Sequence, residues 1–129
     1  MIDQGGSPDI PIQLSQNCAI ASIQVDLTPE VILNFRKQLL EFTHNSGAIA
    51  VILDVSGVDI MDLDDFNLLR QTMSMVKILG AIPVMSGLNP GVVASIIDLG
   101  ADVDDIYAAL NLDEAFNLVK QIISSKSNY

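Results

Sequence analysis

Ala48-Ile49-Ala50-Val51-Ile52-Leu53-Asp54-Val55-Ser56-Gly57 is the stretch whose reading decides the fold. It is a near-continuous apolar run, rich in β-branched residues and closed by a Ser-Gly turn. A strand buried on both faces of a sheet has this pattern. Val58-Asp59-Ile60-Met61-Asp62-Leu63-Asp64-Asp65-Phe66 follows, and then a helical period begins, with Phe66, Leu69, Met73 and Val76 on one face. The spacing predicts a helix over 64–79, stopped by Gly80. The central strand therefore delivers an acidic loop onto a helix N-terminus. In open α/β sheets, ligands and partners meet the loops at the carboxyl ends of strands.

Working back from the central strand, Thr28-Pro29-Glu30 opens a helix. Thr28 suits the cap, Pro29 the first helical position and Glu30 the dipole. Ile32, Phe35, Leu39 and Phe42 follow at helical spacing, and Asn45-Ser46-Gly47 ends the helix. Cys18 to Val25 reads as a strand. Ile10, Ile12 and Leu14 alternate with Pro11 and Gln13, a second short strand, and Ser15-Gln16-Asn17 joins the two as a hairpin. Met1 to Asp9 reads as a loose, Gly-rich tail.

Working forward, Ala81 to Met85 is the next strand, although Pro83 is awkward in a central position. Ser86 to Gly91 is a loop that leads into a short helix, with Val93, Ile96 and Ile97 expected inward and Gly100 closing it. Ile106 to Ala109 is a fifth strand. Asn111 caps a last helix with Ala115, Leu118, Val119 and Ile122 inward, and 124–129 is expected as a tail. The order is β-β-α-β-α-β-α-β-α. It predicts one α/β domain over 10–123, with a mixed, mostly parallel sheet of five strands and four helices.

Composition narrows the function. A length of 129 residues with 50% hydrophobic content supports one proper core. The formal net charge is -10, with six Lys and Arg. That balance repels phosphate backbones and anionic membranes, so no nucleic-acid or membrane partner is expected, and a partner with a basic surface fits better. The N-terminus has neither the basic region nor the apolar core of a signal peptide, and no apolar run is long enough to span a bilayer. The single Cys18 lies in an apolar run, reads as a buried inert thiol, and suits a reducing cytoplasm.

Several residues invite a chemical reading. Asp54, at the end of the central strand, is placed as a phosphoacceptor or metal ligand would be. The helper carboxylates and the lysine such chemistry needs are not evident, and the bland reading has Asp54 bonding turn amides. Asp62, Asp64 and Asp65 suit helix capping and also suit a surface that faces a partner. Asn89-Pro90-Gly91 reads as an ordinary helix start, although such an N-terminus can also bind an anion. His44 stands alone near a helix end, and no nucleophile set can be assembled around it. No cofactor or metal is expected. A receiver-like phosphotransfer domain using Asp54, or a nucleotide- or anion-binding module using the Asn89 helix start, remains the alternative.

Ile52-Leu53-Asp54-Val55-Ser56-Gly57-Val58-Asp59-Ile60-Met61-Asp62 resembles the signature of STAS domains, the sulfate transporter and anti-sigma factor antagonist class. The order of elements agrees from Ile10 to Ile123. Asn89-Pro90-Gly91-Val92-Val93, Ile97-Asp98-Leu99-Gly100-Ala101 and Ala109-Leu110-Asn111 resemble the bacterial stressosome branch, and the short length resembles its RsbS-like scaffold proteins. In that family a partner serine kinase phosphorylates a Ser or Thr in the turn after the central strand. Counted without a gap, the equivalent positions here are Leu63 and Asp64, and no Ser or Thr lies between Gly57 and Arg70.

The resemblance implies a non-enzymatic, cytoplasmic regulator in signal transduction and stress response, without the usual phospho-switch. Its implied partners are copies of itself as a dimer or larger oligomer, related STAS proteins, and a switch serine kinase or anti-sigma-type regulator. The partner-binding residues expected on this basis are Asp62, Leu63, Asp64, Asp65 and Phe66, with Asn89, Pro90 and Gly91 beside them.

Overall fold

The computed structural model describes residues 10–100 and 106–127. The elements are β1 (Ile12–Ser15), β2 (Cys18–Ser22), α1 (Pro29–Ser46), β3 (Ala50–Asp54), α2 (Leu63–Ile78), β4 (Ile82–Ser86), α3 (Pro90–Asp98), β5 (Tyr107–Ala109) and α4 (Leu112–Ser127). They form one five-stranded sheet in the order β1-β2-β3-β4-β5. Strand β1 pairs antiparallel with β2, and the remaining pairs are parallel. The predicted element order and mixed sheet are therefore those observed. Met1 to Asp9 lies outside the described residues, as do Ala101 and the last two positions. Helix α4 runs on to Ser127, so the segment expected as a C-terminal tail from 124 is helical through that residue.

The period of two along β3 explains its apolar run. Val51 and Leu53 enter one buried cluster with α1 and α2, while Ala50 and Ile52 enter the other, with Ala115 and Val119 of α4. Alternate side chains of a strand point to opposite faces, so helices on both faces require apolar residues at every position. Phe35, Leu39, Phe66, Leu69 and Val76 fill the first cluster and are at most 2% exposed.

Arg36 bridges the two helices on this face. Its Nε donates to Thr72 Oγ1 at 2.9 Å and its Nη2 to the Leu68 carbonyl at 2.9 Å.

Pro83 does sit in an interior strand, and the register shows how. The Ile82 N–H donates toward β3, to the Ile49 carbonyl at 3.0 Å. The next residue must direct its nitrogen the other way, toward β5. Among the described residues, pairing with β5 begins only at Val84 opposite Tyr107, so the donor that proline lacks breaks none of the described ladder bonds.

Helix α3 corrects the expected inward face. Ile96 is buried as expected, but its inward companion is Val92, whereas Val93 is 38% and Ile97 47% exposed. Val92 and Ile96 are themselves four residues apart, so the helical period is right and its phase is one residue off. The helix ends behave as predicted. Thr28 accepts from the Val31 N–H at 3.1 Å, Asn111 accepts from the Glu114 N–H at 2.9 Å, and Gly47 closes α1 with φ +67°.

Candidate functional site

The β3–α2 connection is built by alternate anchoring. Val58 and Met61 are buried in the α1/α2 cluster, and Asp59 and Ile60 between them are exposed, Ile60 to 85%. The loop leaves β3 through a tight turn in which Val58 N–H donates to the Val55 carbonyl at 3.0 Å. Gly57 permits the close approach to the segment just after β2, because a Cβ there would lie 3.0 Å from the Ile23 carbonyl oxygen.

Asp62 then caps α2. Its carboxylate accepts the Asp65 N–H at 2.8 Å. Asp65 reaches back to the Asp62 backbone, the reciprocal arrangement of a capping box. Met61 before the cap and Phe66 four residues after it share the same buried cluster, as in a hydrophobic staple. These local rules assign the predicted residues to two groups. Asp62 and Asp64 are exposed and Leu63 is half-buried, so they form a surface. Asp65 is 8% and Phe66 0% exposed. Those two were expected at a partner-facing surface; instead they hold the helix start in place from below.

Burial is the largest influence on Asp65 and pushes its carboxyl above the usual carboxylate range. The nearby Asp62 and Asp64 charges add to this, and the hydrogen bond from the Asp62 backbone opposes it.

The loop after the neighbouring parallel strand completes the site. Gln24 to Leu27, between β2 and α1, and the β3–α2 connection enclose a cleft of about 500 Å³. Four carboxylates line it: Asp26, Asp59, Asp62 and Asp65. Asn89, Pro90 and Gly91 are exposed but do not line this cleft. Asn89 spends its side-chain oxygen on the Gly91 N–H at 2.7 Å, as ordinary capping requires. The sequence reading named the loop that follows the other parallel neighbour, β4, and missed the β2–α1 loop. The available signal was strand adjacency, since parallel neighbours present their following loops side by side.

Asp54 Oδ1 accepts the Ser56 N–H at 3.0 Å, the turn bond expected of its structural role. Cys18 is 1% exposed and burial raises its thiol pKa, consistent with an unreactive thiol. His44 is exposed in the last turn of α1. Among the described residues, no group of three or more His, Cys, Asp or Glu side chains is arranged to hold a metal ion. Nor is any helix among them long and apolar enough to cross a membrane. The chemical capacity of the acidic cleft is recognition of positive charge, with Ile60 as an exposed apolar contact at its rim.

No family model matches the chain, and no curated protein matches it in sequence. Solved structures do match. The chain has the fold of the STAS domains. Its likeness extends over nearly the whole of RsbS from Moorella thermoacetica, solved as a serine-to-glutamate variant. The TM-score is 0.79 at 20% identity, covering 91% of this chain and 99% of that one. A chain in a structure of the stressosome, described as a signal integration and transduction hub, gives a TM-score of 0.77 at 21% identity and covers 88% and 98% of the two chains. The anti-sigma factor antagonist SpoIIAA in its unphosphorylated form gives 0.62 at 10% identity, covering 87% and 98%.

Proposed function

We propose that this protein is a non-enzymatic STAS scaffold of the stressosome type, acting in the cytoplasm by binding other proteins. Its partners are copies of itself, related STAS domains, and a switch serine kinase or anti-sigma-type regulator. The observation that carries this reading is the α2 start. The STAS resemblance puts the phosphorylated side chain of antagonists in this turn, and here the turn has Asp62, Leu63 and Asp64 at the surface beside an acidic cleft. The neighbour SpoIIAA occurs in unphosphorylated and phosphorylated forms. In this chain the acceptor-equivalent positions are Leu63 and Asp64, so the turn carries fixed carboxylate charge where the others acquire phosphate.

A phosphate adds about -1.5 to -2 charges and three acceptor oxygens, and strengthens contacts to arginine and to helix N-termini. Asp64 supplies part of that charge permanently. The protein thus holds the phosphorylated-like state of the switch and does not cycle. Two experiments test the reading. Light scattering at tens of micromolar (about the concentration at which interfaces of modest affinity populate) should give a dimer or larger species. Affinity capture under native conditions, with mass measurement, should recover a STAS-domain protein or a serine kinase. A strictly monomeric chain that captures neither would overturn the proposal.

A further inference from the structure

A second polar cleft lies on the opposite face of the sheet. The register aligns Ser22, Asp54, Ser86 and Ala109 across four parallel strands at their carboxyl ends. Ile20, Ile52 and Val84, two residues earlier on three of those strands, pack into the cluster with α4. By the period of two, Ser22, Asp54 and Ser86 face the α4 side as well. Beyond the apolar packing, a cleft of about 430 Å³ opens between these strand ends and the α4 N-terminus. Asp54, Ser56, Ser86, Gly87, Asn111 and Asp113 are among its walls.

Ser86 is the telling residue. It is 1% exposed, and its hydroxyl has no hydrogen-bond partner. A buried polar group left unpaired is destabilising, and such a group in a native structure calls for an explanation. Apolar residues occupy the preceding positions of β4 on this face, so the serine is not required by packing. Neighbouring Asp54 commits one carboxylate oxygen to the Ser56 N–H. Asp54, Ser86 and Asp113 line one cleft, and the side chains these three residues bring to it are two carboxylates and a hydroxyl, which lies just beneath the surface. Asp113 and Glu114 in the first turn of α4 offset the positive end of its dipole. The set suits a ligand rich in N–H donors and positively charged, and opposes an anion.

We infer that this cleft is a binding site for a guanidinium or primary ammonium group, held by Asp54 and Asp113 and oriented by the Ser86 hydroxyl. It is separate from the acidic cleft at the α2 start, with which it shares no lining residue. The group can belong to a small free amine or to a basic side chain of a partner, and the test separates the two.

The full chain is titrated with agmatine, and in parallel with an unstructured arginine-containing peptide and with inorganic phosphate, while backbone amide NMR shifts are followed. The buffer holds about 150 mM salt, which restricts non-specific attraction to within roughly 8 Å. Agmatine is expected to give saturable shifts at Ser56, Ser86, Gly87 and Asp113, and phosphate none. Saturation by agmatine at lower concentration than by the peptide assigns a free amine, and the reverse order assigns a basic side chain.

Asp54→Asn should weaken binding at least tenfold. Ser86→Ala should weaken it several-fold while leaving the free protein as stable as wild type or more so, because it removes an unpaired hydroxyl. A purely structural serine predicts the opposite, a lowered melting temperature with unchanged binding. Absence of saturation with both cationic probes, equal shifts with phosphate, or shifts spread over Asp59 to Asp65 as strongly as over this cleft would overturn the inference. So would unchanged binding in both variants.

Discussion

Asp62 and Asp65 are locked together across the first turn of α2, with the Asp62 carboxylate accepting the Asp65 N–H at 2.8 Å and Asp65 returning to the Asp62 backbone. The pair has opposite fates, Asp62 exposed and Asp65 buried. The buried member holds the turn, and the exposed one leaves its charge at the surface.

That arrangement has a pH signature. The folded-state pKa of Asp65 is raised above its usual 3.8, with burial as the largest cause. Between the unfolded and folded pKa values the native state binds more protons than the unfolded state. Stability from this group is therefore fully present below the unfolded pKa and is lost as pH rises through the folded value. Asp65→Asn, which keeps an acceptor for the capping box, removes this dependence. The variant's stability relative to wild type should rise from about pH 3.5 to pH 7, within the carboxylate titration range. Denaturant unfolding at several pH values checks it; a difference that stays flat or falls contradicts it.

The α1–α2 bridge makes a second prediction. Arg36 donates to Thr72 and to the Leu68 carbonyl, while Thr72 is fully buried. Arg36→Leu keeps much of the stem packing and removes both bonds. It should cost about 1 to 3 kcal/mol by urea unfolding, as loss of hydrogen bonds from a charged donor does. A change under about 0.5 kcal/mol, typical of an uninvolved surface site, would show that the bridge contributes little.

Phe66 and Ile60 should behave as opposites although they lie six residues apart in one acidic segment. Phe66→Ala empties a fully buried site and should cost about 3 to 5 kcal/mol. Ile60 is 85% exposed; Ile60→Ser should leave stability within about 0.5 kcal/mol while weakening capture of the partner. Loss of stability in the Ile60 variant would contradict a surface role.

Gly87 tests how closely the ends of β3 and β4 approach. Its φ is +79°, and a Cβ there would meet the Ser56 Cβ at 2.9 Å. Gly87→Ala combines a left-handed conformation with a steric conflict and should cost at least about 1 kcal/mol. Thermal unfolding checks it, and a neutral substitution would mean that the two strand ends separate easily.

The scaffold was legible in the sequence because each element carried its own signal. The β3 run, the Thr28-Pro29 start, the Gly47 stop and the Asn111 cap each follow from local physics, and the alternating order then fixes the parallel sheet. Pro83 looked out of place because its tolerance depends on where β5 begins, which is a pairing fact. The phase of α3 was missed because Val92, Val93, Ile96 and Ile97 offer two apolar faces that differ by one residue. At the site, Asp62 and Asp64 were readable as surface charge. Asp65 looked the same in sequence but is drawn inward by the capping box, while Phe66 lies on the apolar face it shares with Leu69, Met73 and Val76 and packs there as half of the staple, below the surface where it was also expected. The cleft beside them needed the β2–α1 loop, and Ser86 becomes notable only when the strands are in register.

The most direct test of the central claim is the affinity of the captured STAS or kinase partner for wild type and for Asp64→Ser, measured by titration calorimetry. Asp64 is exposed on the first turn of α2, and removing its charge should cost at most about 1 kcal/mol of stability, which moves the melting temperature by no more than about 5 °C. If fixed charge at this turn sets partner choice, affinity should change by at least about fivefold, or ~1 kcal/mol. Equal affinity with matched melting curves would contradict the account and leave the acidic turn with no role beyond capping α2.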